Sequence, residues 1–340
     1  MGRKLIWHYT RMSVMHLDSM RLKELPELPP TLQELSCENN ELRELPELPP
    51  TLETLFCDNN YLMSLPPLPD TMKKLTCSKN KIEQLPILPR SLELFVCIQN
   101  LLEELPYPLP PRLTVLRCSD NALDSFEELP PMLEELDCDH NYFAMLPHHL
   151  PSTLRILKCE ENTLSFLPSL PDSLETLDCT NNNITFLPTL PPNLTMLFCA
   201  NNRLTTLPFL PTTLTRIDLY NNPLNEAIGN LYQTYMLDDD DIEQFITSVN
   251  HYLSENKRRK HIRKNARTIR NLSRVSKQGL PLPNNVIVHS IGETLSGVVS
   301  PSLQNTMKRL KTKHNSFGPR KTQRRTRTRN RSRSRNRNQN

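Results

Sequence analysis

Apolar residues recur along this chain in a fixed frame. In the stretch TLQELSCENNELRELPELPP, from Thr31 to Pro50, the apolar slots are Leu32, Leu35, Cys37, Leu42, Leu45 and Leu48. Cysteine then returns at Cys57, Cys77, Cys97, Cys118, Cys138, Cys159, Cys179 and Cys199, always 20 or 21 residues on. Three residues after each cysteine stands an asparagine, from Asn40 to Asn202. The next unit keeps Asn222 and puts Leu219 in the cysteine slot. One period upstream, Met15, Leu17 and Leu22 hold apolar slots while Met20 replaces the asparagine. About eleven units therefore span residues 12–223. A fixed period of this length is the mark of a stacked-repeat architecture, in which no unit buries its own apolar face.

The pattern inside a unit predicts its elements. Leu35, Ser36 and Cys37 alternate as a short strand, with Leu and Cys on one side. The LPELPP half cannot be α-helical, because proline removes donors and disfavours helix in the residue before it. It is expected to run extended, in polyproline-like geometry. At this period there is no room for an outer helix. The asparagines are expected to form a ladder in which each amide satisfies backbone groups at the strand-to-loop turn.

The slots LxxLxLxxNxL, with cysteine third, resemble the leucine-rich-repeat family. The LPxLPxxL half resembles the short repeats of the IpaH and YopM classes of secreted bacterial effectors, and similar cysteine-bearing repeats occur in proteins of giant DNA viruses. The expected fold is a β-rich, curved leucine-rich-repeat solenoid. Short parallel strands line its concave face and extended segments its convex face.

In this frame the strand positions beside the inward leucine and cysteine face outward on the concave side. Two apolar clusters fall there, Leu94, Val96, Ile98 and Val115 in the middle and Met196, Phe198 and Ala200, with Tyr220 as a further candidate, near the far end. Phe56 and the acids Asp137, Asp139 and Asp178 share the face. Contiguous exposed apolar residues mark interaction sites, so these residues are the expected contacts for a protein partner. The acids would repel nucleic acid and favour a basic partner.

After Pro223 the period stops. Residues 224–237 read as a short helix, and Asp238 to Asp241 as a helix start. Ile242, Phe245, Ile246, Val249, Tyr252 and Leu253 then recur at helical spacing. Residues 224–275 are expected to cap the solenoid and continue as a basic helix through Lys257, Arg258, Arg259 and Lys260. Residues 276–340 are expected to be a disordered tail, and residues 1–11 a short extension.

Charge separates these parts. From Asn256 to Asn340 there are 24 Lys and Arg but one acid, Glu293; the remainder carries a net charge of −19. The tail cations Arg320, Lys321, Arg324, Arg325, Arg327, Arg329, Arg331, Arg333, Arg335 and Arg337 have no apolar residue among them and cannot fold alone. They suit non-specific, salt-sensitive phosphate contacts or an import signal. With no interleaved aromatics, base stacking is not expected.

Composition excludes other classes. Six Gly against 31 Pro argues against nucleotide-binding α/β folds, whose phosphate loops need glycine. No apolar run suits a membrane span, and the first residues lack the marks of a cleaved signal peptide. An intracellular, monomeric protein is expected. No CxxC pair points to zinc, so the cysteines are read as core residues and neither metal nor cofactor is expected. The effector resemblance raises a ubiquitin ligase with a cysteine nucleophile, but no cysteine follows Cys199. The reading is a non-enzymatic protein-interaction module. The alternatives are a nucleic-acid-binding protein acting through its tail and a ubiquitin-ligase substrate adaptor.

Overall fold

The computed structural model describes residues 12–238 and 241–277, with the backbone alone for 236–238 and 269–277. The chain divides into two compact units, Met1–Ser254 and Glu255–Asn340. The expected extension 1–11 and the tail cations from Arg320 to Arg337 lie outside the described residues.

Among its described residues the first unit contains eleven three-residue strands. These are β1 (Val14–His16), β2 (Glu34–Ser36), β3 (Thr54–Phe56), β4 (Lys74–Thr76), β5 (Leu94–Val96) and β6 (Val115–Arg117). They continue as β7 (Glu135–Asp137), β8 (Ile156–Lys158), β9 (Thr176–Asp178), β10 (Met196–Phe198) and β11 (Arg216–Asp218). They form one sheet in sequence order, every pair parallel and in the register of the repeat, so that Leu35 lies against Leu55 and Leu136 against Leu157. The central residue of each strand is buried, and so are all nine cysteines. One continuous core runs from Met15 through the stacked leucines to Val249.

Each coil is shaped by its punctuation. The proline-rich segment closes in a turn in which Leu32 N–H donates to Pro29 C=O (3.1 Å), repeated at Leu52 and Pro49 and onward. The strand exits through a residue in the left-handed region, φ 51° to 57°, from Asn39 to Asn221. No glycine serves this slot; Asn, Asp and His tolerate it best, while Lys79, Gln99 and Glu161 carry more strain. Where a unit has 21 residues, the extra residue falls in the convex segment, near Tyr107 or at His148 and His149. The strand-to-asparagine spacing is untouched.

The asparagine that follows is buried and fully used. Asn141 Nδ2 donates to the carbonyls of Cys118 (3.1 Å), Cys138 (3.2 Å) and Asp139 (2.9 Å), and its Oδ1 accepts from Leu123 N–H at 3.0 Å. Each amide thus ties its own coil to the preceding one, and the pattern holds from Asn40 to Asn222. A second ladder was not singled out from the sequence. Thr or Ser at the head of a unit donates to a carbonyl of the previous coil, as Thr51 to Leu32 C=O (2.7 Å) and Thr153 to Leu133 C=O (2.7 Å).

The solenoid closes on helix α1 (Glu226–Tyr232), a π-helical turn (Gln233–Asp238) and helix α2 (Ile242–Lys277). Asn225 caps α1, accepting from Ile228 N–H. Asp241 accepts from Gln244 N–H (3.0 Å) at the start of α2. Ile228, Phe245, Ile246 and Val249 are buried against the last coil. The cap also replaces the polar partners that a twelfth coil would supply. Leu219 N–H donates to Tyr232 Oη (3.1 Å), where Cys199 N–H uses the next strand's Asp218 carbonyl. Asn250 pairs both ways with the backbone of Leu210, at 2.9 and 2.8 Å.

Candidate functional site

Parallel strands project alternate residues to opposite sides, so the first and third residue of each strand, and the residue after cysteine, make up the concave surface. Leu94, Val96, Ile98 and Val115 stand there half-buried on neighbouring coils, as do Phe56, Met196 and Phe198. Neighbouring strands bring Leu94 beside Val115 and Val96 beside Thr76 and Arg117. These are low, side-packed apolar surfaces; none protrudes.

The acids of this face are fixed by backbone donors. Asp18 accepts from Glu38 N–H (2.8 Å) and from the Ser36 hydroxyl (2.6 Å). Asp139 accepts from Glu160 N–H at 2.6 Å, and Asp178 from Thr180 N–H at 3.1 Å. Burial, with Asp137 next in effect, pushes the Asp139 carboxyl up to about 7. Burial and then Asp58 also raise the Glu38 carboxyl, and burial and then Asp178 that of Glu160. Like charges, gathered without matching cations, favour the neutral acid.

Asp137 departs from its expected exposure. It is 8 % exposed, in register between Arg117 and Lys158, and its Oδ1 accepts from the buried Ser119 hydroxyl at 2.7 Å. Its carboxylate serves the sheet and is withdrawn from the surface. Ala200, beside Phe198, is likewise buried.

The cysteines sit in the core. Cys57, Cys138 and Cys159 donate their thiols to carbonyls of the next coil, Thr76, Lys158 and Asp178, at 3.2 to 3.3 Å. Burial drives the Cys37 thiol up to about 12 and the others upward as well. A thiol so raised is a poor nucleophile and metal ligand. Among the described residues no group of His, Cys, Asp and Glu is arranged to hold a metal ion, and no helix is long and apolar enough to cross a membrane.

In the second unit, Lys257, Arg258, Arg259 and Lys260 are exposed on α2. Arg258 reaches Glu255 at 3.5 Å. The remaining cations of this helix stretch point to solvent through residue 264.

The stacked parallel strands, asparagine ladder and leucine core define the class: the chain is a leucine-rich-repeat protein. The leucine-rich-repeat family profile matches residues 173–194. Among solved structures the chain is similar to YopM from Yersinia enterocolitica, at 37 % identity over 61 % of this chain and 50 % of that one, TM-score 0.53. It is similar also to YopM of Yersinia pestis, described as a leucine-rich effector protein, at 38 % identity over 64 % of this chain and 62 % of that one, TM-score 0.60. The chain therefore spans about half to three-fifths of the YopM chains. A chain of the LRIM1/APL1C complex is similar at 25 % identity, over 64 % of this chain and 45 % of that one, TM-score 0.55. No curated protein sequence matches.

Proposed function

We propose that this protein is a non-enzymatic interaction module that binds a protein partner on its concave face. The observation that carries the reading is the row of apolar side chains, Leu94, Val96, Ile98 and Val115, and again Met196 and Phe198, at strand positions directed away from the core. A folded surface places such residues in solvent at a cost that a partner removes. Its likeness to leucine-rich-repeat proteins, one of them found in a two-protein complex, supports the same reading. The buried, proton-holding thiols give no support to cysteine catalysis.

The exposed cations at 257–260 favour a second, auxiliary role. Clustered Lys and Arg gain from phosphate contacts through counterion release, and the tail from Arg320 to Arg337 adds charge of the same kind. This contact with a polyanion would be non-specific and lost at high salt.

The test is quantitative co-purification from native cells, with and without nuclease. It compares the wild type with Val96→Asp/Phe198→Asp and with a variant carrying Gln at 257–260. The expected result is a nuclease-resistant protein partner lost from the first variant and kept by the second. Full retention by a correctly folded Val96→Asp/Phe198→Asp protein would overturn the concave-face assignment.

A further inference from the structure

We propose that the concave face recognises a protein segment in which two basic clusters flank an apolar stretch. This deepens the protein-binding reading above and rests on it. The carrying observation is the order of chemistry along the coils. Glu38 and Asp58 stand near the beginning, Leu94, Val96 and Ile98 in the middle, and Asp139, Glu160 and Asp178 beyond them.

Both acidic groups are held in place, because their members accept backbone N–H groups, Asp58 from Ser78 and Asp139 from Glu160. The face offers few cations to neutralise them. Arg117 is already engaged, its guanidinium forked on Glu135 at 2.7 and 3.2 Å; Lys74, Lys158 and Arg216 are the other Lys and Arg residues of the strands, while His16 on β1 lies 3.9 Å from Glu34 and His140 acts on Glu160. Burial first, and after it the repulsion of the neighbouring carboxylates Asp58, Asp137 and Asp178, raises the Glu38, Asp139 and Glu160 carboxyls; that repulsion is the cost of gathering like charges. Positive groups docked there would recover that energy.

A second, independent sign lies between the groups. Thr76 sits in register between Phe56 and Val96. Its Oγ1 is the buried side-chain oxygen left without a hydrogen-bond partner among the described residues. A buried polar atom without a partner is unusual, and a peptide backbone docked over this point would supply one once the flanking Phe56 and Val96 side chains part.

The spacing constrains the ligand. Glu38 and Asp139 are five coils apart, about 24 Å at the usual interstrand distance, which an extended segment crosses in about seven residues. The apolar stretch between the basic clusters should therefore be about that long.

The experiment uses the full chain and a fluorescein-labelled peptide with an Arg-Lys-Arg triplet at each end of a seven-residue Leu/Val/Ala stretch. Two control peptides replace the centre with Gly/Ser or one triplet with Gln. Binding is read by fluorescence anisotropy in about 0.15 M salt, where charges beyond about 8 Å are screened. We expect each control peptide to bind at least about tenfold more weakly. Glu38→Gln/Asp58→Asn and Asp139→Asn/Glu160→Gln/Asp178→Asn should each cost a similar factor. Glu83→Gln/Glu103→Gln/Glu104→Gln, exposed beyond the ladder asparagines, should leave affinity unchanged.

Equal affinity for the Gly/Ser-centred peptide, equal loss in the Glu83/Glu103/Glu104 variant, or no binding at all would overturn the proposal. The control peptides test it on the wild-type chain even if an acidic-face variant fails to fold. If the native partner is lost from Val96→Asp/Phe198→Asp yet kept by both acid-neutralised variants, the concave site stands and this assignment of its ligand falls.

Discussion

Replacing Asn141 by alanine isolates what the asparagine ladder contributes. Four hydrogen bonds disappear, but the consequences differ among the backbone groups involved. The Cys118 carbonyl still accepts from Asn121 Nδ2 (3.1 Å), the Cys138 carbonyl from Asn162 Nδ2 (3.1 Å) and the Asp139 carbonyl from Asp120 N–H (3.0 Å). Leu123 N–H has Asn141 Oδ1 and then nothing, in a residue that is fully buried. One orphaned buried donor costs about 1–3 kcal/mol, and three weakened carbonyls with a small void bring the expected loss to about 2–4 kcal/mol. Asn141→Asp sharpens the argument. It is nearly isosteric and keeps an acceptor for Leu123, but at neutral pH it sets a carboxylate against the carbonyls of Cys118 and Cys138. It should destabilise at least as much as alanine at pH 7 and recover part of the loss in acid, where a protonated carboxyl can donate once. Urea denaturation followed by circular dichroism gives the free energies. Hydrogen exchange gives the location: the Leu123 amide should lose protection, while Leu62, held by Asn80 Oδ1 at 3.0 Å, should keep it. An unmoved urea midpoint, or unchanged exchange at Leu123, would mean that the Asn141 amide does not hold this coil to the one before it.

Other outcomes follow from features described above. Met132 and Arg112 occupy the slot that Thr or Ser fills elsewhere in the second ladder, so Met132→Thr should add a bond to the preceding coil and stabilise by about 0.5–1.5 kcal/mol; a lower thermal midpoint would count against that ladder. The Asp139 carboxyl, raised to about 7, binds its proton more tightly in the folded than in the unfolded chain. Its contribution is full below about pH 4 and lost as pH rises to about 7. Asp139→Asn should flatten that slope and raise the melting temperature at pH 8, and an unchanged pH profile would contradict the shift. The nine thiols should resist a water-soluble disulfide reagent at pH 8 in the folded protein and all react in denaturant; rapid native labelling of Cys118 or Cys138 would mean that the coils open there.

Much of this was legible in the chain because the repeat states each rule many times over. The Leu, Cys and Asn slots recur in nearly every coil, so the period reports a core position and a buried polar position at once. The Thr/Ser ladder was harder to see because its slot is interrupted by Arg112, Met132 and Asn193, and because a hydroxyl at a turn looks like ordinary turn chemistry. Asp137 misled for another reason. Strand alternation sets which side a residue faces, but Ser119 on the neighbouring coil decides that its carboxylate is drawn in. The cap was visible as helical spacing, whereas the particular roles of Tyr232 and Asn250 happen once and leave no period. The outward strand positions were legible from alternation; the partner proposed for them rests on the order of acids and apolar residues along the coils.

The ladder also has a direction. Asn60 Oδ1 accepts from Leu42 N–H in the coil before it, and Asn80 from Leu62, so every coil is completed by its successor. A ribosome delivers the coils in that same order. The growing solenoid is therefore always one coil short of satisfied: at its leading edge the ladder amide waits together with the strand N–H groups that the next coil's carbonyls will accept, as Cys37 N–H waits for Phe56 and Asn39 N–H for Asp58. Vectorial synthesis and the ladder run in step until Asn222, after which Tyr232 and Asn250 end the series from outside the repeat. A stall or truncation in the middle leaves only the last coil without its partner, so partial chains should hold native-like coils behind one frayed turn.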